Sequence, residues 1–383
     1  MKHLFSLLTL ILSLTIIQPS IAQLKNPKHL EYEWTKTDTN LKNVSLSEIQ
    51  MVLPRHGFPT IDYPKFIGKR DGFLSFYKDE PVISVVIDGL AKAYPLNMLT
   101  MHEISNDTLA GIPILPTFCP LCNASMVYDR RVSLNGEEKV LEFEVSGMLR
   151  NSDMIMADKE SQSWWQQLMG LGIVGAYTDV ELTIIASQVI TVESFFVRYP
   201  NGQILSPETG TEGEENYGKN PYIGYDNIDN KPYDRFYDPD SVDNRLPAME
   251  RIIDIKGKEN FKVYPLSILA KKGVINDNFE DEPYVLFYQK GMVSVLDQQE
   301  ISKSRSVGSA TVFSRQLDEL ELHFVSTNGN IQDNETESFW DITGRCTEGE
   351  LKGEQLTPVI HSNHFAFAFL QFYPEAIIYS LDK

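Results

Sequence analysis

Ala93-Tyr94-Pro95-Leu96, followed by Ile104-Ser105-Asn106-Asp107, returns later in the chain as Val263-Tyr264-Pro265-Leu266, followed by Val274-Ile275-Asn276-Asp277, with the same spacing from Tyr to Asp. Self-similarity at a fixed order is the first thing to seek in a sequence, because missing it misreads the whole fold. Three more landmarks follow in register. Met126-Val127-Tyr128-Asp129-Arg130 answers Thr311-Val312-Phe313-Ser314-Arg315, and Glu160 through Ser163-Trp164-Trp165 answers Glu335 through Ser338-Phe339-Trp340. Each run closes alike, on Arg198-Tyr199-Pro200 with Ser206, and on Phe372-Tyr373-Pro374 with Ser380. The reading is an internally duplicated chain, with copy one over 76–206 and copy two over 248–383. It predicts that Tyr94 overlays Tyr264, Trp165 overlays Trp340 and Pro200 overlays Pro374.

Within each copy, short β-rich runs alternate with brief helical ones. Ile83 to Ile87, Ile114 to Phe118, Ser125 to Tyr128 and Leu141 to Val145 have strand composition. Pro95 to Glu103 and Val192 to Tyr199 have helical spacing with Pro or Thr near their starts. The expected class is therefore α+β, with mixed or antiparallel sheets and short helices. A 23–75 segment extends copy one at its N-terminal side. Residues 207–247, rich in Asp, Asn, Tyr, Gly and Pro, read as an acidic, solvated linker or insertion made of turns. Asp238-Pro239-Asp240-Ser241-Val242-Asp243-Asn244 offers clustered oxygens of the kind calcium takes, but without the glycine and terminal glutamate of a calcium loop.

The first 22 of the 383 residues carry Lys2 and His3, an apolar run from Leu4 to Ile17 and the small-residue end Ser20-Ile21-Ala22. This is the pattern of a secretory signal peptide cleaved before Gln23, and it implies a periplasmic or extracellular protein. No cysteine follows that point to take a lipid, and no later stretch reaches the roughly 18 apolar residues of a membrane span. With 42% hydrophobic residues the chain can build a large core, and its formal charge of −19 argues against nucleic acid or an anionic membrane as partner.

Polar landmarks present in both copies read as scaffold, satisfying buried backbone groups, with Asn106 and Asp107 as turn-formers. Trp164, Trp165 and Trp340 read as core. Chemistry present in one copy alone reads as a site. With the spacing held fixed, His102 and Glu103 face Lys272 and Gly273, while Cys119 and Cys122 face Gln289 and Met292. The chain has no Gly-x-Ser-x-Gly elbow, phosphate-cradling glycine loop or His-Glu-x-x-His motif, so no substrate or reaction is named.

Gly57-Phe58-Pro59-Thr60-Ile61-Asp62-Tyr63-Pro64, His102-Glu103-Ile104-Ser105-Asn106-Asp107, Phe118-Cys119-Pro120-Leu121-Cys122, Val145-Ser146-Gly147, Asn151-Ser152-Asp153 and Ser163-Trp164-Trp165 occur in one order. This set resembles a bacterial and archaeal family of unknown function, DUF3179, over nearly the whole chain after its leader. The resemblance implies no activity. It implies that the Cys-Pro-Leu-Cys and His-Glu-x-x-Asn-Asp elements, here Cys119, Cys122, His102, Glu103, Asn106 and Asp107, are shared features.

Three chemistries are open to Cys119-Pro120-Leu121-Cys122. Two thiols two residues apart can meet one metal, zinc or copper, because soft thiolates favour Cu(I) and zinc. His102 is then the preferred third ligand, expected within roughly 6 Å of a sulfur on the scale of zinc-ligand bonds, with Glu103 beside it and Met126, Cys346, His361 and His364 in reserve. Alternatively, the pair works as a thiol-disulfide oxidoreductase, although no amphipathic helix follows it to depress a thiol pKa. The third reading is a plain disulfide in a non-catalytic interaction module. His361-Ser362-Asn363-His364 has a spacing that places both imidazoles on one face if the segment is helical.

Overall fold

The computed structural model describes residues 33–237 and 243–381, so the candidate leader and most of the calcium-type stretch lie outside the described residues. Strands dominate. The helices Lys69–Ser75, Leu96–His102, Val192–Arg198, Leu266–Lys272 and Ala366–Phe372 are each seven residues long. The class is α+β, with mixed and antiparallel sheets.

Pro81–Ile87 lies antiparallel to Leu90–Pro95 on one side and to Ser187–Thr191 on the other, and Gln203–Leu205 joins Leu90–Pro95 in parallel. Later in the chain, Arg251–Lys256 lies antiparallel to Phe261–Pro265 and to His361–Phe365, and Ile377–Ile378 joins Phe261–Pro265 in parallel. In both places a proline at the strand end supplies an extended residue, Pro95 (φ −63°) or Pro265 (φ −61°), from which a helix starts directly. A proline in this role sets φ and gives up no ladder donor that the helix needs. An antiparallel three-strand unit follows each helix. The first is Asp107–Leu109, Ile112–Cys119 and Ala124–Asp129, and the second is Val274–Phe279, Glu282–Gln289 and Ser309–Ser314.

Each unit leads into a four-strand meander. The first comprises Phe143–Arg150, Asp153–Asp158, Trp164–Gln166 and Leu171–Val174; the second comprises Phe324–Thr327, Asn330–Asp333, Phe339–Trp340 and Cys346–Glu348. The two stretches are joined edge to edge where Asn363 pairs with Ser125, so one seven-stranded sheet runs through both. One apolar cluster likewise draws residues from both, including Phe118, Trp165, Phe313 and Phe365.

The sequence landmarks are the ties of this framework. Tyr94 Oη donates to Asp107 Oδ2 at 2.5 Å, and Tyr264 Oη to Asp277 Oδ2 at 2.9 Å. Asn106 does not make a turn. Its amide clamps the next meander at both polar atoms of the Phe143 backbone (2.8 and 2.9 Å), and Asn276 does the same at Phe324 (2.7 and 2.8 Å). Trp165 Nε1 donates to Asp158, and Trp340 Nε1 to Asp333. Such ties fill buried backbone and indole groups that would otherwise lose a hydrogen bond.

Glu80 anchors one helix start. Its carboxyl accepts from Tyr77 N (3.1 Å) and from Asn97 Nδ2 (2.5 Å), and burial first of all pushes its pKa up from 4.5 to about 7. Because the folded value exceeds the unfolded one, the stability it contributes is complete below pH 4.5 and lost as pH rises through 7. Glu80→Gln should therefore match the parent at pH 4.5 and exceed it by about 2–3 kcal/mol at pH 7.5, on the scale of 1.36 kcal/mol per pKa unit. Urea midpoints at the two pH values check this; equal differences at both would refute the assignment.

Across its described residues, segment 207–247 is turn-rich, as its composition implies, but part of it is packed rather than solvated. Tyr225, Asp226, Phe236 and Tyr237 are buried. Asp226 is held by Arg251 (2.7 Å), Arg305 (2.9 Å) and Ser294 (2.5 Å). Its aromatic residues, invisible to a count of turn formers, have found apolar surface to cover. The extension is also integrated: Ile49–Met51 pairs with Phe143–Arg150, and Trp34 meets Trp164 edge-on at 5.6 Å.

Candidate metal centre

Cys119 is the last residue of Ile112–Cys119 and pairs with Ala124, so Cys-Pro-Leu-Cys is the turn of a tight hairpin. The turn is pinned from three directions. Phe365 N donates to Cys122 O at 2.7 Å, Tyr225 Oη donates to Leu121 O at 3.0 Å, and Arg251 Nη1 donates to the side chain of Asn123 at 2.6 Å. Both thiols are free and buried.

Asp153 opens the strand Asp153–Asp158 and is fully buried. Its carboxylate, Cys119 Sγ and Cys122 Sγ lie within 4.8 Å of one another. Oδ2 is held by Gln166 Nε2 (2.6 Å) and Leu168 N (3.0 Å), whereas Oδ1 has no hydrogen-bond partner among the described residues. The approach is made by Asn151 and Ser152, both at positive φ (52° and 64°), a conformation that costs a non-glycine residue free energy.

Burial raises the pKa of both thiols and lifts Asp153 from 3.8 to about 6. Glu103 caps helix Leu96–His102 at φ 59° and is buried, and like His102 it is not among the three gathered ligand groups. Burial, then the charge of Asp153, takes it from 4.5 to about 8. Its counterpart after helix Leu266–Lys272 is Gly273 at φ 74°, the residue this backbone ordinarily takes. The two thiols, Asp153 and Glu103 all shift toward their neutral forms, because burial penalises the charged ones.

His102 is engaged elsewhere. Nδ1 lies 2.6 Å from Pro59 O and Nε2 lies 2.6 Å from Tyr217 Oη. A carbonyl only accepts, so Nδ1 carries the proton and Nε2 takes the tyrosine hydroxyl's hydrogen. The ring ties segment 207–247 to the strand-helix framework beside Glu103, and it is not among the three gathered ligand groups.

His361 and His364 lie on a strand, His361–Phe365, not a helix. Pairing with Arg251–Lys256 fixes it extended, and residues three apart then face opposite sides. His361 Nδ1 contacts Val359 O at 2.7 Å, and His364 Nε2 lies 3.2 Å from Asp254 Oδ1. Cys346 sits on a meander strand with its thiol directed to Glu348 O, and Met126 is buried in the strand after the Cys turn.

The fold and site define an α+β protein with a buried cluster of two cysteines and an aspartate able to hold a metal ion. Residues 55–376 match the family described as "Protein of unknown function (DUF3179)", and the chain belongs to that family. No curated protein and no solved structure matches it significantly.

Proposed function

We propose that this is an exported metal-binding protein whose centre is Cys119, Cys122 and Asp153, with Glu103 as the further oxygen donor. The observation that carries the reading is the Asp153 carboxylate, which is gathered with two thiols so that the three ligand atoms lie within 4.8 Å of one another, and whose Oδ1 is buried without a hydrogen-bond partner among the described residues. A bare buried carboxylate oxygen is costly unless something satisfies it, and a cation shared with two thiolates does so. The donor set favours zinc, which accepts sulfur and carboxylate together, over Cu(I), which prefers sulfur alone. The dithiol reading finds less support, because the thiols are buried, end a strand rather than begin a helix, and have raised pKa values.

The chain on this reading is a duplication in which copy one keeps the centre. Supporting it are the matched strand pairings, the paired Tyr-Asp, Asn-backbone and Trp-Asp ties, and the helices that end on Glu103 and Gly273.

Protein purified from the exported fraction should carry about one zinc per chain by elemental analysis, with Gln23 as its first residue. Metal-free protein with a Cys119-Cys122 disulfide by mass spectrometry would overturn the assignment and favour the interaction-module alternative.

A further inference from the structure

A cavity of about 780 Å³ lies where the two halves meet, outside the Cys/Asp cluster. Its floor is Asp254 on Arg251–Lys256 with Ser362 and His364 on His361–Phe365; Tyr373 closes one side, and Leu168, Leu182 and Ile184 of the first half form the opposite wall. Volumes of about 300–1,000 Å³ with apolar walls and a few convergent polar groups are typical of small-molecule sites, and these favour domain junctions.

The chain provides its own control. A second cavity, of about 300 Å³, is lined by Ser84, Val86, Gln188 and Tyr199. Strand register relates the two. Asp254 pairs with Ser362 and Ile252 with His364, while Ser84 pairs with Gln188 and Val82 with Ile190. The pairs Ile252–Pro265 and Val82–Pro95 set the same frame. Asp254 therefore stands where the small cavity has Ser84, Lys256 where it has Val86, and His364 in the place of Ile190. Tyr373 and Tyr199 each cap the helix that follows. The smaller cavity has its own charged liner, Arg198, but no ionisable residue at the positions of Asp254, Lys256 and His364, so these three are not demanded by the framework.

We infer that this larger cavity is a binding site for a small aromatic molecule bearing amine or hydroxyl donors. His364, Phe369, Tyr373 and Phe261 form a ladder of rings, with centroids 5.0, 4.9 and 4.1 Å apart in turn, which offers flat π faces to a planar ligand. The buried charge is that of the Asp254-His364 pair, which is at most neutral and otherwise negative. Glu181 and Lys256 are exposed at the rim and offset each other. An anion thus meets no net positive charge, whereas an ammonium meets a carboxylate and ring faces. His364 Nε2 faces Asp254 Oδ1 at 3.2 Å, and its buried Nδ1 has no hydrogen-bond partner among the described residues.

Tyramine and 4-hydroxyphenylacetate present one ring with opposite charge and serve as probes in calorimetric titrations of the mature protein. Tyramine should bind one per chain with a submillimolar Kd, and the acid at least tenfold more weakly. Asp254→Asn should erase that preference, and Ile184→Trp, which fills the cavity, should abolish tyramine binding. Asp254→Asn should carry the same zinc content as the parent, which separates this site from the metal centre. Failure of tyramine to bind, equal binding of the acid, or binding that survives both Ile184→Trp and Asp254→Asn overturns the inference.

Discussion

Chelation of the zinc-loaded protein should lower its melting temperature by on the order of 5 °C, and Cys119→Ser or Cys122→Ser should abolish both the bound metal and that difference. A ligand bound only to the folded state stabilises it by about 4 kcal/mol when its free concentration is a thousandfold above Kd. In a chain of this length each kcal/mol moves the transition by only a degree or two, extrapolating from smaller domains. The fold should nonetheless survive, because the Cys turn is pinned by Phe365, Tyr225 and Arg251 rather than by metal alone. Thermal scans of parent and variants, with and without chelator, check this. A parent whose transition ignores the chelator, or serine variants that still shift with it, would leave the centre without an occupant.

Metal uptake should also release protons, since both thiols are held up by burial and Asp153 and Glu103 lie at about 6 and about 8. Ligation requires the deprotonated forms, so affinity rises with pH over that range.

What could be read in the sequence follows from what recurs in it. The helices expected over 95–103 and 192–199 are Leu96–His102 and Val192–Arg198, because a Pro or Thr start and apolar spacing act locally. Tyr94, Asn106, Trp165 and their later partners stand out because buried ties are dictated by backbone needs, which repeat whenever the backbone does. Asp153 belongs to Asn151-Ser152-Asp153, a run that suggests no role for it. Nothing local marks this aspartate, since its approach to the thiols depends on how the meander folds back on the Cys hairpin. The same holds for His102, whose partners Pro59 and Tyr217 lie far away in sequence. The His-x-x-His reading failed for another reason: spacing carries no face until the period is known, and sheet pairing chose the strand.

Glu103→Gly should push the fold and the centre in opposite directions, strengthening the first and weakening the second. The backbone there sits at φ 59°, ψ −30°, almost the conformation of Gly273 at φ 74°, ψ −35°. Relief of a non-glycine residue from such a conformation is worth about 1 kcal/mol, which glycine's greater freedom in the unfolded chain roughly cancels. The buried carboxyl matters more. Its pKa is raised from 4.5 unfolded to about 8 folded, so its stabilising contribution is whole below pH 4.5 and falls as pH climbs toward 8. At pH 7 the loss amounts to roughly 3 kcal/mol at 1.36 kcal/mol per unit. Deleting the side chain also leaves a small void that costs about 1 kcal/mol at either pH, so the metal-free variant should gain about 2 kcal/mol at pH 7 and lose about 1 kcal/mol at pH 4.5. Zinc affinity should fall 10- to 100-fold, the usual loss when a group supporting a metal is removed. Urea denaturation of the apo forms at both pH values and competitive zinc titration read the two effects separately. A residue kept in a conformation suited to glycine, at a cost to the fold, is explained by the work its side chain does at the centre. Glu103→Gly protein that gains stability and still binds zinc at full strength would remove that explanation and leave Cys119, Cys122 and Asp153 as the whole donor set.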